Sequence, residues 1–496
     1  MEVVAAMVAW AAHLIFPPST VNNIGIDIQS LRGRLSSGAH VYEPGSSGFN
    51  HTTVRWSTLD NPTFRLVVAP SVENDVAEVV KYANEYNLPF LTVTGGHGAI
   101  TTVGNLHQGI GIWMGDLDSV EINRDGSTAT VGGGTLSKAV TDTLWAAGKQ
   151  TVTGICECTS ILGPGLGGGH GVLQGRYGLV TDQFVSMNVV IADGSLVTVD
   201  DTHLADLWWA MRGAGHNFGI VTSAKIKIYD VKHPDWAYTS LIYTGDKVTA
   251  VFETINELFP KGSQDVEVLH LVLFLNNPDV DSTKPLVVFY VFQEGVSEVD
   301  AAYTSPFLAL GPIMAMPGGG PYPEFPGWIG ESNESPPCQK AGLVNIRMPI
   351  DLEDYNVTSI QSAYELFAAK TQEYPALNSS LFLFEGYSLQ GVKAIDSKST
   401  AYPNREDNYL VSPLITYAPG KPELDATAER FGQDLRKILY TGSRREELHT
   451  YVNYAFGDET TKNWYGYEAW RQDRLSALKK QYDPLGKFNF YAPIKV

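Results

Sequence analysis

The chain has 496 residues, 44% of them hydrophobic, and a formal charge of −19. That length supports a large buried core and roughly two to four domains. The acidic balance and the lack of any run of like charges exclude a polyanionic partner such as nucleic acid. Three cysteines, Cys156, Cys158 and Cys338, are too few for a disulfide framework in a chain this long. The first two lie two residues apart, a spacing that a bridge closes only with strain. There is no CxxC and no second cluster for a zinc site.

The N-terminus is apolar from Val3 to Phe16. It lacks the basic flank and the cleavage site of a signal peptide, and it is short for a membrane span. The balance leans toward a cytoplasmic or endomembrane protein over a secreted one. Four N-x-S/T sequons, at Asn50, Asn333, Asn356 and Asn378, are close to chance for this length. IDIQSLRGRLSSGAHVYEPGS reads as a short helix and a turn.

From Phe64 the pattern becomes regular: FRLVVAP predicts a strand, and SVENDVAEVVKYANEYNLP an amphipathic helix. Val72, Val76, Val79, Val80 and Ala83 fall at helical spacing, with Ser71 as the expected N-cap. FLTVTGG predicts a strand closing on a glycine turn, and GIGIWMGDLDSVEINRDGSTATVGGG strands joined at a DG turn. TLSKAVTDTLWAAGKQ is helical. FVSMNVVIADGSLVTVD predicts a hairpin around Asp193 and Gly194, and LADLWWAMR a helix before GAGHNFGIVTSAKIKIYD.

Near residue 231 the character changes. Long strand-like runs (EVLHLVLFL, PLVVFYVF, YLVSPLITY) and two helices, 247–260 and 358–374, predict a second α+β unit with one antiparallel sheet. GPIMAMPGGGPYPEFPGW reads as an interrupting loop. The segment from Tyr451 onward is too aromatic for a free tail and predicts a docked one.

Residues 154–171, GICECTSILGPGLGGGHG, hold seven glycines and two cysteines. Gly163-Pro-Gly165-Leu-Gly167-Gly168 formally satisfies G-x-G-x-x-G. Its internal proline, three further glycines at Gly171, Gly175 and Gly178, and its distance from the first βαβ unit all weigh against a Rossmann turn. Glycine still suits a backbone that approaches a ligand closely or adopts positive φ, with its N–H groups free for a pyrophosphate. A tight inter-strand connection explains two or three glycines. It does not explain seven beside two cysteines, and cofactor contact is the better reading.

A second glycine turn, TVTGGHG (92–98), closes a strand. A G-G-H turn followed about 60 residues later by G-x-C and G-G-G-x-G resembles the berberine-bridge-enzyme-like branch of the vanillyl-alcohol-oxidase flavoproteins. RGAGHNFGIVTSAKIKIYD, TAYPNRE, YVNYAFGDE, WYG and RLSALKKQYDPLGKFNF resemble further segments of that family. The ICEC…LGPGLGGGHG and WYG details resemble its fungal members. The resemblance implies an α+β, two-domain PCMH-type FAD-binding fold. The expected divisions are an N-terminal segment 1–60, an FAD-binding domain 61–230, an antiparallel-sheet substrate domain 231–440 and a C-terminal segment 441–496 returning to the FAD domain.

The resemblance also implies FAD attached through His97 at the flavin 8α-methyl and through Cys156 at ring carbon 6. Taken alone, His97 is a turn histidine and Cys156 a buried thiol; the matched pair of motifs reverses that balance. Cys158 has no attachment position and is expected to pack. Further cofactor contacts are expected from Thr94, Gly95, Gly96, Gly98, Gly154, Thr159, Ser160, Gly163, Gly167, Gly168, Gly169, Tyr177, Gly219, Ile220, Val221 and Tyr454. Two departures stand out: Val93-Thr94 where the family often has Arg-Ser, and Ala492 where it often has glutamine.

The implied reaction is oxidation of an alcohol or related activated C–H of a small molecule, a secondary metabolite by the same resemblance, with O2 as acceptor giving H2O2. Tyr451 is the expected base and Asn453 its orienting partner; on a strand the two share a face and Tyr454 points away. Tyr387 and Gln390 are expected in the substrate site. No acidic residue lies between Glu385 and Asp396, which favours a tyrosine base over the glutamate of plant members. A carbohydrate oxidase forming lactones, a flavin dehydrogenase poorly reactive with O2, and a passive FAD binder are the competing readings. Covalent attachment has no evident use in a passive binder.

Overall fold

The computed structural model describes residues 27–495, so the apolar N-terminal stretch lies outside the described residues. Three principal β-sheets organise the chain. Phe64–Ala69, Gly109–Trp113 and Phe90–Val93 pair in parallel, with His40–Tyr42 antiparallel at one edge. Helix Glu73–Glu85 packs on this sheet through Val76, Val79, Val80 and Ala83. Its start departs from the expected Ser71 cap. The Asp75 carboxylate reaches back to the Ser71 and Val72 amides at 3.0 and 3.1 Å, and Val72 is left exposed outside the helix. A carboxylate does this work better than a hydroxyl because it accepts several amides at once.

A second sheet orders Val120–Ile122, Thr128–Gly132, Ile220–Lys227, Phe184–Val190 and Leu196–Val199, all antiparallel. The expected Asp193-Gly194 hairpin joins the last two, with Gly194 at φ 87°. Helix Ala205–Ala214 follows it.

The third sheet has eight strands and only antiparallel pairs, running from Met314–Pro321 at one edge to Val344–Arg347 at the other. Residue alternation gives it two working faces. Val268, Val272 and Phe274 join the core beneath helices Val248–Leu258, Val357–Glu373 and Pro422–Ser443. Leu269 and Leu271, on the opposite face, join the core of the second sheet. The site lies on that opposite side.

Two expectations need correction. The run around Met314–Pro321 is an edge strand paired with Asp235–Tyr243, not a loop. An edge tolerates Pro317 because one side of the ladder needs no donor, and at Gly318 a Cβ would sit 2.6 Å from Tyr238, so glycine permits the close approach. The second unit also contains a third long helix, Pro422–Ser443. It opens on a proline with Glu423 and Asp425 in its first turn.

The C-terminal segment is docked, as its aromatic content suggests. Asn217 donates to the Tyr465 hydroxyl at 2.9 Å and to the Ala492 carbonyl at 3.2 Å, and accepts from the Ile494 amide at 2.8 Å. Lys479 and Asp483 form a fully buried pair at 2.7 Å. Among the described residues, no helix is long and apolar enough to cross a membrane.

Candidate active site

The two glycine-bearing turns meet. A Cβ at Gly95 would lie 2.7 Å from the Cys158 carbonyl oxygen, so only glycine lets the 94–98 turn rest against the 156–160 loop. His97 thereby reaches the cysteines. The ligating atoms of His97, Cys156, Cys158 and Cys338 all lie within 4.8 Å of one another. The His97 ring stacks on Trp56 at 5.8 Å, and its Nε2 is 3.0 Å from Cys158 Sγ. Burial, then the charges of Lys340, Arg347 and Arg55, pull its pKa down to about 3. A neutral imidazole keeps the lone pair that a nucleophile or ligand needs.

The cysteine arithmetic is corrected here. Cys158 and Cys338 form a disulfide with Cα atoms 5.7 Å apart, and Cys156 stays a free thiol 3.6 Å from both sulfurs. Cys158 is therefore a cross-link rather than a packing residue. Its partner is 180 residues away, beyond the reach of spacing arguments. Segment 331–340 is held on this loop by further bonds: the Glu157 amide donates to the Glu331 carbonyl at 3.0 Å, and the Asn333 amide to the Glu157 carboxylate at 2.8 Å. Burial and then the neighbouring Glu331 carboxylate push the Cys156 thiol well above its usual range.

A second cluster lies where the glycine-rich stretch meets the C-terminal segment. Asn453 donates to the Tyr451 hydroxyl oxygen at 2.7 Å and to the Pro164 carbonyl at 2.8 Å. The His170 amide donates to the same Tyr451 oxygen at 3.2 Å, and the His170 ring meets the Tyr402 hydroxyl at 3.2 Å. Tyr387 stacks on His170 at 5.9 Å and donates to the Glu385 carboxylate at 2.5 Å. Burial raises the Tyr451 pKa to about 12, against the lowering effect of the Asn453 and His170 bonds.

Tyr451 and Asn453 are thus brought together, but not by a strand. Val452–Tyr454 is a single 3₁₀ turn, in which residues three apart eclipse. Tyr454 consequently sits 5.0 Å from the Tyr451 ring instead of pointing away. The other expected residues divide. Gly167, Gly168 and Gly169 line the approach, the last two at φ 107° and 84°. A Cβ at Gly167 would lie 2.6 Å from Asn453, and one at Gly168 2.6 Å from the Tyr402 ring, so these glycines admit protein neighbours as closely as any cofactor. Gly163 accepts from the His216 ring at 2.9 Å and donates to Ser160, and Thr159 caps the Cys156 carbonyl. Thr94 donates to Gly133, the Gly98 carbonyl accepts from Arg55, and Gly154 lies near Ser137 and Thr159. Gly219 abuts Val189, and Ile220 and Val221 open a central strand.

Two lie outside the clusters. Gln390 is exposed, with its amide donating to the Gln264 carbonyl, and Tyr177 stacks on Tyr229 at 3.8 Å. Sequence reading missed His170, Tyr402, Glu385 and Arg347. His170 and Tyr402 lie inside motifs already noted, so proximity to Tyr451 was their missing signal; Glu385 and Arg347 carry none in sequence.

The residues fit FAD. His216 Nδ1 is sealed from solvent without a partner among the described residues, and a neutral imidazole and a thiol sit side by side at the junction of two glycine turns. Residues 64–200 match the FAD binding domain model and residues 450–495 the berberine and berberine-like model. The chain is 48% identical over 499 residues to the FAD-linked oxidoreductase chyH of Penicillium rubens, covering 100% of this chain and 99% of that protein. It is 49% identical over 482 residues to the FAD-linked oxidoreductase chry5 of Gibberella zeae, covering 95% of each. Among solved structures, the Physcomitrella patens BBE-like 1 wild type superposes at TM-score 0.78 with 21% identity, over 95% of this chain and 99% of that one. A chitooligosaccharide oxidase superposes at TM-score 0.80 with 18% identity, over 94% and 99%. The fold is accordingly the PCMH-type FAD-binding fold, and the chain belongs to the berberine-bridge-enzyme-like family of FAD-linked oxidoreductases.

Proposed function

We propose that the protein is an oxidase that carries FAD on two covalent anchors, His97 and Cys156, and oxidises an alcohol or activated C–H of a small molecule with O2, giving H2O2. The observation that carries this reading is the convergence of a neutral imidazole and a free thiol, drawn from turns 59 residues apart in sequence, into one cluster spanning 4.8 Å. Two nucleophiles of different softness so placed suit attachment to one ring edge. FAD, when bound, supplies the hydride acceptor and the reaction with O2.

The chain's own residues supply the rest. Tyr451 takes the substrate's hydroxyl proton; Asn453 and the His170 amide hold its oxygen in place and favour its charged form against the cost of burial. Tyr402 fixes the His170 ring, and the Tyr387–Glu385 pair forms the adjoining polar wall. The many tyrosine rings exclude water around the reacting groups. In this reading residues 61–230 hold the cofactor, 231–440 present the substrate face, and 441–496 return to place Tyr451.

The test is the visible spectrum and intact mass of acid-denatured protein for the native chain, His97→Ala, Cys156→Ala and the double variant. Flavin mass retained in each single variant and lost in the double supports two anchors. A native protein that releases its flavin on denaturation sinks them. Oligosaccharide oxidation is a lesser reading that rests on structures under 25% identical; oxygen uptake with cello- and chito-oligosaccharides against aromatic alcohols separates the two.

A further inference from the structure

Three cations surround His97 in a chain of charge −19: Arg55, Lys340 and Arg347. None of them forms an ion pair among the described residues. Arg55 is engaged by the Gly98 carbonyl, and Lys340 lies beside Gly96. Arg347 differs from both. It comes from the substrate-side sheet, on the strand Val344–Arg347, and two of its three nitrogens, Nε and Nη1, are sealed from solvent with no partner among the described residues.

Its guanidinium carbon lies 3.8 Å from the Tyr454 ring centroid and 5.4 Å from that of Trp56. Trp56 stacks on His97 and Tyr454 touches Tyr451, so Arg347 sits between the cofactor anchor and the proposed base. Tyr454, Glu385 and Glu331 favour its charge, but no carboxylate forms an ion pair with it among the described residues. Glu331 and Glu385 are both pushed by burial toward the protonated form, and Glu385 is engaged by Tyr387. A buried cation with unused donors is costly unless something anionic completes it. A planar guanidinium braced on aromatic faces is the usual receptor for a carboxylate.

We propose that Arg347 is the specificity residue of this site and that the substrates are small aromatic carboxylic acids, their carboxylate held by Arg347 and their rings by Trp56 and Tyr454. This rests on the FAD reading above, because it places the substrate between the flavin anchor and Tyr451. The flavin itself is the other source of negative charge that could complete Arg347, so the experiment separates the two.

The probes are benzoate and its neutral isostere benzamide. Each is titrated into the flavin-loaded native enzyme, Arg347→Gln and Arg347→Lys, and binding is read both by perturbation of the flavin spectrum and by equilibrium dialysis of the radiolabelled probe. The expected result is native binding of benzoate about 10-fold or more tighter than benzamide. Arg347→Gln then weakens benzoate by at least about 10-fold and leaves benzamide within about 2-fold, while Arg347→Lys keeps part of the preference. Equal binding of the two probes, no saturable benzoate binding, or unchanged benzoate affinity in Arg347→Gln overturns the proposal. So does a change confined to flavin retention or spectrum, which assigns Arg347 to the cofactor. If Arg347→Gln does not fold, Arg347→Lys and the native comparison of the two probes still decide. A native enzyme that lacks flavin refutes the FAD reading; one that holds flavin but does not discriminate refutes only this inference.

Discussion

Arg405 and Asp182, 223 residues apart, form a two-pronged ion pair, at 2.7 and 3.0 Å, with Arg405 fully buried. The pair locks the Thr400–Arg405 stretch, which carries Tyr402, onto the turn that follows the glycine-rich segment. Asp182 also accepts the Leu179 amide, and Arg405 also donates to Thr400. Removing one partner strands a buried charge. Arg405→Ala is expected to lower stability by about 3–5 kcal/mol, with Asp182→Asn plus Arg405→Gln losing less than either single charge removal. Urea denaturation of Arg405→Ala, Asp182→Asn, Arg405→Gln and the double variant measures it. A single variant within 1 kcal/mol of native, on the order of the surface-pair range, contradicts the locking role.

Tyr451→Phe removes the proposed base while preserving the ring's packing. The expected outcome is a fall in the rate of anaerobic flavin reduction by a factor of about 10²–10⁴, with flavin content unchanged. Asn453→Ala is expected to act in the same direction more weakly, since it removes one of the two donors to the Tyr451 oxygen. With the Tyr451 pKa raised to about 12, activity should climb with pH through the alkaline range until the enzyme unfolds. A flat profile, or a Tyr451→Phe enzyme as fast as native, moves the base to the Glu385–Tyr387 pair.

The Cys158–Cys338 disulfide ties the 156–160 loop to segment 331–340. Cys338→Ser is expected to cost about 2–5 kcal/mol, a typical loss for a native bridge closing a long loop. Covalent flavin should survive, because the proposed anchors are His97 and Cys156. Non-reducing peptide mapping should recover one peptide joining Cys158 to Cys338. Recovery of a Cys156-containing bridge instead contradicts the assignment of the free thiol.

His270 is a stability liability at low pH. Its ring stacks on Phe259 at 5.1 Å in the core, and neither nitrogen has a partner among the described residues. Burial pulls its pKa down to about 3, below the unfolded value near 6.5. A depressed folded pKa means that its contribution is intact above about pH 6.5 and is lost as pH falls toward 3, at up to about 1.4 kcal/mol per pH unit. His270→Phe should therefore flatten the acid side of the stability profile between pH 6 and 4. Denaturant midpoints across that window check it, and parallel native and variant profiles would refute it.

How much of this was legible in the chain follows from the range of each interaction. Periodicity placed the helix Glu73–Glu85, the Asp193-Gly194 hairpin and the central strands, because those signals lie within one element. The two glycine turns were legible because a backbone that must lie this close to its neighbour excludes every side chain but hydrogen. Composition misread Met314–Pro321, since only the neighbouring strand shows that proline and glycine are standing on a sheet edge. The tertiary structure alone decided the rest: Cys158 with Cys338, Tyr451 with His170, and Arg347 between Trp56 and Tyr454. Those pairings join residues more than 100 positions apart, and no local preference encodes them. They exist because two sheets and a returning C-terminal segment close on one another, and the buried charges and sulfurs then take whichever partners that closure brings within reach.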